Sequence, residues 1–313
     1  MSSQKEVKKI RIIFMGTPEF SLPGLRALIK DESFEIVGVL TQPDKPFGRK
    51  QILTPPSVKV LALENNLEIF QPDKIKTEIE NIKSLEPDLI VVIAYGKIIP
   101  QEILDIPTFG CINVHASLLP KYRGAACLNA PILNGDKETG VTIMKMEAGL
   151  DTGPILQQSK MELNGQETLG DVHDRLSELG AKELPSTLHD WIAGNIEAQV
   201  QDNFQASFVK TLTKEDGQIN WEKQAEEIER MIRAFTPWPG VWTELNGEIL
   251  KIISVEHKIA KVNKVKTGQL FLDNGRLLIQ CRQNALVILE LQLAGKRAMD
   301  SSEFINGYKD KLK

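Results

Sequence analysis

Three polar side chains whose types could support group transfer, Asn113, His115 and Asp151, lie in one stretch of the sequence. Asn113 and His115 are two positions apart in a short apolar run, so on a β-strand both side chains point to the same face. Asp151 follows a second apolar run at 140–146, so the three can meet at the ends of neighbouring strands. An amide can donate to a developing oxyanion, an imidazole can relay a proton near neutral pH, and a carboxylate can orient that imidazole. The set suits direct transfer of an acyl-type group to an external nucleophile.

The sequence gives less support to covalent or metal-dependent chemistry. No serine, cysteine or lysine stands beside a base as an activated nucleophile would, and no group of His, Cys and Asp residues has metal-ligand spacing. The cysteines, Cys111, Cys127 and Cys281, are too scattered for a disulfide framework or a zinc site, which indicates reduced thiols in the cytoplasm. An Asn-x-His pair on a strand also fits a purely structural role, and residue types alone leave both interpretations open.

The elements that must position these residues follow an alternating strand and helix pattern in the first half of the chain. Apolar strands are predicted at 9–15, 34–41, 88–94 and 111–115, with helices between them. This pattern predicts an α/β fold with a Rossmann-like, doubly wound sheet, which binds ligands at the carboxyl edge of its strands.

The first strand is not followed by a dinucleotide-binding turn. Thr17 and Pro18 come directly after Gly16, so the fingerprint GxGxxG is missing. We therefore predict that neither NAD nor FAD is bound, despite the Rossmann-like order of elements.

The second half of the chain has a different texture. A long amphipathic helix is predicted at 168–193, interrupted or kinked at Pro185, and a polar segment at 195–207 is predicted to be a linker. One helix at 221–235 and five short strands then indicate a small OB-like β-barrel. Those strands are predicted at 241–245, 249–255, 268–272, 276–280 and 286–291. The predicted domains are a catalytic domain at 1–194, the linker at 195–207 and an OB-like C-terminal domain at 208–313.

The segment 42–51 is rich in proline, glycine and charged residues, which predicts an irregular loop. It is compatible with a solvated surface loop or with a mobile basic arm that reaches a phosphate or a base, and its composition leaves both open. The chain has a net charge of −4, yet the region from 209 onward is mildly basic. That asymmetry is a weak indication of a polyanionic partner.

A longer pattern runs through the polar trio. It reads Asn113-x-His115-x-Ser117-Leu118-Leu119-Pro120, then Arg123-Gly124 and Leu150-Asp151-Thr152-Gly153. This pattern resembles the signature of the folate-dependent formyltransferases. Further stretches resemble the members of that family that formylate methionine on initiator tRNA, at 14–20, 42–46, 94–96, 234–239 and 294–299. The resemblance covers nearly the whole chain and implies a Rossmann-like catalytic domain, a linker and an OB-like domain.

The resemblance also implies an activity and roles for individual residues. The activity is transfer of a formyl group from 10-formyltetrahydrofolate to the α-amine of methionyl initiator tRNA, without metal or NAD. Asn113, His115 and Asp151 match the catalytic trio. Folate binding falls to Ser117, Leu118, Leu119 and Pro120, with Ile98, Ile99 and Pro100 lining the pterin pocket. Arg49 matches an arginine that enters the acceptor stem of the tRNA, and Lys45 and Lys50 would add charge beside it.

Two departures from the family pattern are visible. Cys127 and Asn129 stand where a proline and a glutamine are expected, which puts the packing on the substrate side in doubt, not the chemistry. The arm after Arg49 is about one residue short, which leaves the set of tRNA contacts open.

Alternative functions and the cellular setting also follow from the sequence. Another folate-dependent formyltransferase, or a formyltetrahydrofolate hydrolase acting on a small molecule, would share the Asn-His-Asp logic. A non-catalytic RNA-binding protein built on the barrel is a different class, against which the trio argues. The sequence has no apolar run long enough to span a membrane, and its first residues lack a signal-peptide core. We therefore expect a cytoplasmic protein. A monomer is expected as a separate prediction.

Overall fold

The computed structural model describes residues 8–48 and 50–308. Backbone contacts divide the chain into two compact units. The first unit contains 1–124, 139–161 and 173–208, and the second contains 125–138, 162–172 and 209–313. The expected boundaries at 194 and 208 remain a prediction. No helix in the described part of the chain is long and apolar enough to cross a membrane.

The helices and strands of both units are numbered in chain order. The helices are α1 (Leu22–Lys30), α2 (Ser57–Glu64), α3 (Ile79–Ser84), α4 (Gln101–Leu104), α5 (Ala130–Asn134), α6 (Leu169–Ile192), α7 (Ala225–Phe235) and α8 (Ser301–Gly307). The strands are β1 (Ile10–Gly16), β2 (Phe34–Leu40), β3 (Lys45–Phe47), β4 (Ile52–Thr54), β5 (Ile69–Phe70), β6 (Leu89–Ile93), β7 (Cys111–His115), β8 (Arg123–Gly124), β9 (Glu138–Lys145), β10 (Ile155–Glu162), β11 (Phe208–Val209), β12 (Val241–Leu245), β13 (Glu248–Val255), β14 (Leu270–Asp273), β15 (Arg276–Gln280), β16 (Ala285–Leu293) and β17 (Met299–Asp300).

The first unit is built on a seven-stranded sheet in the order β10-β9-β7-β6-β1-β2-β5. The five strands from β7 to β5 pair in parallel, and β9 pairs antiparallel with β7. Every residue of β6 is buried, as expected for a central strand covered on both faces. The chain leaves β1 toward β2 and returns on the other side as β6, which makes the junction of β1 and β6 the topological switch point. The predicted doubly wound fold is confirmed.

The second unit carries a six-stranded sheet in the order β12-β13-β16-β15-β14, with β17 paired to β16. Its neighbouring strands pair antiparallel. Two of its hairpins turn on Asn-Gly pairs, Asn246-Gly247 and Asn274-Gly275, in which both residues have positive φ. Such turns match the right-handed twist of the flanking strands, so the sequence fixes these hairpins locally. The predicted C-terminal β domain is confirmed.

Local predictions differ from the structure at three places. Helix α6 is not interrupted at Pro185, which removes one backbone donor but does not end the helix, and a kink at this position remains a prediction. Helix α7 begins at Ala225 rather than at 221, because Gln224 and Glu227 form a capping box that sets its first turn. The segment 42–51, predicted as an irregular loop, includes strand β3, which pairs antiparallel with β4 directly after the segment.

Gly140, in the middle of β9, permits a close approach that no other residue allows. A Cβ at this position would overlap the carbonyl oxygen of Ser159 and the side chain of Leu118. We expect Gly140→Ala to lower the free energy of unfolding by ~1–3 kcal/mol, because the strands must separate to admit the methyl group. Urea unfolding followed by fluorescence measures this loss.

Gly170→Ala is the matched control, since the nearest atom to its Cβ would be Thr168 Oγ1 at an ordinary 3.7 Å. This helical position should be neutral or stabilised by up to ~1 kcal/mol. Equal stability of the two variants would contradict the close approach at Gly140.

Candidate active site

Asn113 lies on β7, at the carboxyl edge of the parallel strands. Its side-chain Nδ2 donates to the carbonyl oxygen of Val92 on β6 at 3.1 Å. Its Oδ1 is buried and accepts no hydrogen bond in the described structure. An unpaired buried acceptor costs ~1–3 kcal/mol, so this atom is a place where a donor from a bound molecule would be stabilised.

His115 ends β7 and is 7% exposed. Its Nε2 lies 3.1 Å from the carbonyl oxygen of Tyr122. Because a carbonyl can only accept, Nε2 carries the hydrogen, and in the neutral ring Nδ1 is left with a lone pair. Burial lowers the pKa of His115 below its usual value, against the opposing effects of the Asp151 carboxylate and the Tyr122 carbonyl. The resting imidazole is therefore neutral at pH 7.

Asp151 faces the unprotonated side of that ring. Its Oδ2 is 3.8 Å from His115 Nδ1, too far for a direct hydrogen bond, and accepts the backbone N–H of Gly124 at 2.7 Å. Asp151 adopts a left-handed backbone conformation with φ of 51°, which aspartate tolerates better than most residues. The predicted trio thus comes together, with His115 and Asp151 side by side and Asn113 two residues earlier on the same strand.

The turn from Ser117 to Pro120 is held by the sheet beneath it. Thr142 Oγ1 donates to the Ser117 carbonyl at 2.7 Å and accepts the Leu119 N–H at 3.0 Å. Ser117 Oγ donates to the carbonyl oxygen of Lys121 at 2.6 Å. Ser117 and Leu119 are buried, whereas Leu118 and Pro120 are partly exposed. Of this predicted folate-binding segment, the latter two side chains are therefore the accessible ones.

The residues predicted to line a pterin pocket point in different directions. Ile98 is 93% exposed, Ile99 belongs to the apolar core of the first unit, and Pro100 precedes α4. Beside them lies a cavity of about 400 Å³, within the usual size range of small-molecule sites. It is lined by Gln101, Leu104, Asp105, Pro107, Thr108, Gly110, Lys145, Met146, Glu147 and Pro154.

Sequence reasoning missed the residues of this cavity. Its walls come from α4 with the loop behind it and from the loop that leads from β9 to Asp151, two stretches that are distant in sequence. The signals that could have found them were modest: the helix begins directly after the predicted Pro100, and Glu147 lies four residues before Asp151.

The basic arm is described in part. Arg49 lies outside the described residues, so its predicted role is untested. Lys50 is exposed, and Lys45 Nζ donates to Gln42 Oε1 at 2.6 Å. The hairpin formed by β3 and β4 also exposes large apolar side chains, with Phe47 75% and Leu53 65% exposed.

The cysteines do not act as nucleophiles in this environment. All three are buried, and burial raises the pKa of Cys111 and of Cys281 to about 12. The departure at Asn129 has a packing role, because its Nδ2 donates to the Ala234 carbonyl at 2.7 Å within the second unit. Across residues 8–48 and 50–308, no group of three or more His, Cys, Asp or Glu side chains is arranged to hold a metal.

Comparisons with known proteins agree along the chain. The family described as Formyl transferase matches residues 8–188, and its C-terminal domain matches 211–309. The methionyl-tRNA formyltransferase of Geobacter sulfurreducens is 44% identical over 304 residues, covering 96% of this chain and 94% of the relative. That of Bacillus velezensis is 45% identical over 304 residues, covering 95% and 94%.

A solved structure shares the fold at lower identity. The N-formyltransferase from Helicobacter canadensis, in complex with folinic acid and dTDP-3-aminofucose, has a TM-score of 0.67 and 21% identity. The match covers 89% of this chain and 99% of that one. Since both family matches fall in order and the relatives align over nearly their full length, the chain belongs to the methionyl-tRNA formyltransferases, a branch of the folate-dependent formyltransferase family.

Proposed function

We propose that this protein transfers a formyl group from 10-formyltetrahydrofolate to the α-amino group of methionyl initiator tRNA, which yields formylmethionyl-tRNA for translation initiation. The observation that carries the proposal is the pairing of a buried, neutral His115 with Asp151 at the carboxyl edge of the sheet. Relatives at about 45% identity over nearly the full length carry this activity in their names. We further propose that the enzyme is a cytoplasmic monomer and requires no metal.

The cavity between α4 and the loop before Asp151 is the proposed site for the pterin end of the folate. Leu104 and Met146 offer apolar surface, and Gln101, Asp105 and Glu147 offer polar groups. Pterin rings carry amide and amino groups as well as flat apolar faces, so this mixture of linings suits them. The bound folate supplies the formyl carbon, and the residues around it orient that carbon toward the trio.

His115 and Asp151 are proposed to take the proton that the amine must lose. The lone pair of His115 lies on Nδ1, the nitrogen nearer Asp151, because Nε2–H donates to the Tyr122 carbonyl. A proton that arrives on Nδ1 creates an imidazolium 3.8 Å from the Asp151 carboxylate, and that charge stabilises it. The same proton is then available to the folate nitrogen that leaves. One proton thus moves from the amine to the leaving nitrogen, while the formyl carbon forms a bond to the amine and its bond to the folate nitrogen breaks.

Asn113 is proposed to be the main donor that stabilises the oxyanion. One of its two amide hydrogens goes to Val92, which fixes the plane of the amide and leaves the second for the charge that develops on the formyl oxygen. The only N–H of the neutral His115 ring is donated to the Tyr122 carbonyl, so His115 can assist this charge only after Nδ1 has been protonated.

The hairpin of β3 and β4 is the proposed tRNA-facing arm. Lys45 and Lys50 can neutralise phosphates, and Arg49, which lies between the two strands in the sequence, can both stack and make forked hydrogen bonds. The ladder between β3 and β4 gives these two strands a defined shape, in contrast to an irregular loop.

The function is tested by offering competing acceptors to the purified enzyme with 10-formyltetrahydrofolate. Charged initiator tRNA should be formylated with a kcat/KM at least ~10³-fold above that of free methionine or a small amino sugar, since most of the binding surface lies on the tRNA. Formylation of a small amine as efficiently as the tRNA would overturn the proposal.

Substitution tests the roles within the trio. We expect His115→Ala and Asp151→Asn each to lower kcat by ~10²–10⁴, the usual contribution of acid–base groups. Circular dichroism should show intact folds. His173→Ala is the control, since that partly buried histidine on α6 contacts Asp174 and Phe20 rather than the trio and should retain full activity. Near-normal turnover by either trio variant would remove its residue from the mechanism.

The pKa of His115 can be measured by NMR, because the chain has only four histidines. We expect a pKa below the usual value of about 6.5, and a further decrease in Asp151→Asn, because the carboxylate is what opposes the effect of burial. Asp31→Asn is the control: that carboxylate pairs with His189 at 2.8 Å and should leave the titration of His115 unchanged. A pKa above 7 in the wild-type protein would contradict the neutral resting state.

A further inference from the structure

In the segment at 195–207, which the sequence predicts to be a linker, one side chain contacts the loop that carries Asp151. Gln201 is 6% exposed. Its Nε2 donates to the backbone carbonyl of Asp151 at 2.8 Å and to that of Gly153 at 2.7 Å. Both hydrogens of the amide are thereby used on the loop that carries the proposed catalytic carboxylate.

The opposite end of the same amide is held by a buried cation. Arg123 is 2% exposed, and its Nε and one terminal nitrogen donate to Gln201 Oε1 at 3.1 and 2.8 Å. That terminal nitrogen also donates to Asn203 Oδ1 at 2.9 Å. Within the described residues, Arg123 makes no hydrogen bond to a carboxylate. Its charge is therefore met by amide oxygens, with the Phe208 ring centroid 5.9 Å from its Cζ, and Gln201 accepts two of the three hydrogen bonds to those oxygens.

The guanidinium fixes the orientation of the Gln201 amide. A guanidinium only donates, so the amide oxygen must face it and the NH₂ group must face away. The direction away from Arg123 is the direction of the Asp151 and Gly153 carbonyls. A flipped amide would place donors against donors at one end and oxygens against oxygens at the other.

Asp151 needs such support because its backbone is in the left-handed region, with φ of 51°. Its side chain is fixed separately, by the N–H of Gly124 at 2.7 Å. Gly153 is packed so tightly that a Cβ there would overlap the carbonyl oxygen of Lys145. Gln201 thus holds the backbone of Asp151, and the Gly124 N–H holds its side chain. Arg123, which precedes Gly124 in the chain, in turn holds Gln201.

The same segment also fixes the loop that orients His115. Ser207 Oγ accepts the Tyr122 N–H at 2.9 Å, and the Ser207 carbonyl accepts the Arg123 N–H at 2.8 Å. Tyr122 is the residue whose carbonyl receives His115 Nε2–H. The segment at 195–207 therefore contacts both the loop of Asp151, through Gln201, and the loop that binds His115, through Ser207.

We propose that Gln201 is a positioning residue for formyl transfer, which orients Asp151 toward His115 through its two donated hydrogen bonds. This proposal rests on the proposed function for its kinetic readout only. It does not require Gln201 to touch either substrate.

Two substitutions separate positioning from simple structural support. Gln201→Met removes donor and acceptor together at similar length. Gln201→Glu keeps an acceptor for Arg123 but cannot donate to the Asp151 and Gly153 carbonyls. If Gln201 served only to satisfy Arg123, the Glu variant would have wild-type kcat. If its donated bonds orient Asp151, both variants should lose ~10–100-fold in kcat, since small misplacements of catalytic groups cost this much.

The expected pattern is a fall in kcat of both variants with the KM for methionyl initiator tRNA within about 2-fold of wild type, because substrate contacts are unchanged. Gln199→Glu is the matched control. It makes the same chemical change two residues earlier, where the side chain is exposed and the backbone alone pairs with Ile155. It should retain wild-type kcat.

A second readout does not depend on the acceptor. The NMR pKa of His115 should decrease in Gln201→Met, because a displaced carboxylate no longer opposes the effect of burial. Thermal unfolding identifies any variant that fails to fold. If one of the two Gln201 variants fails, both kcat and the NMR pKa of His115 are measured on the other. Wild-type kcat in Gln201→Glu, or an unchanged His115 pKa in Gln201→Met, would overturn the proposal. An inactive wild-type enzyme would overturn the proposed function and leave the NMR result to decide this one.

Discussion

The structure depends on one arrangement: a buried imidazole whose lone pair faces a carboxylate across 3.8 Å. Burial favours the neutral ring, and the Tyr122 carbonyl takes the only N–H that the neutral ring has. Asp151 cannot bond directly to Nδ1, so the pair is left ready for a proton that a substrate brings. A proton that enters converts the partly buried Asp151 carboxylate and the neutral ring into an ion pair, whose attraction is stronger at a mostly buried site than in bulk water.

This arrangement explains why the loops around the site adopt unusual conformations. Tyr122, Gly124 and Asp151 all have positive φ. Each serves a contact of the pair: the Tyr122 carbonyl faces His115, and the Gly124 N–H faces Asp151. For residues other than glycine this conformation costs up to ~1–2 kcal/mol, and the regular sheet below absorbs the cost. The strands supply rigidity, and the loops supply direction.

The sequence predicted the parts that depend on local patterns. The apolar periodicity of β1, β2, β6 and β7 predicted the sheet, and the two-residue spacing of Asn113 and His115 placed them on one face. It did not predict the role of Gln201, because an isolated glutamine in a polar segment has no periodicity and its partners Arg123, Asp151 and Gly153 are 48 to 78 residues away in sequence. The cavity beside α4 was missed for the same reason, since its walls come from separate loops. The hairpin of β3 and β4 was missed because its proline and glycine content is typical of irregular chain, whereas the ladder needs only three residues on each strand, Lys45–Phe47 and Ile52–Thr54.

The charge of Arg123 gives the last link between these parts. Burial of a guanidinium without a carboxylate partner costs free energy unless hydrogen bonds and nearby dipoles stabilise the charge. Here the Gln201 amide lies between that cation and the carbonyl oxygens of Asp151 and Gly153, so its dipole is aligned along the line of charge. Hydrogen bonds in such a chain polarise one another, and each bond to a backbone carbonyl is strengthened by the cation behind it. The cation is therefore best understood as the anchor of the loop that holds Asp151, which acts through Gln201 without contact with the reacting atoms.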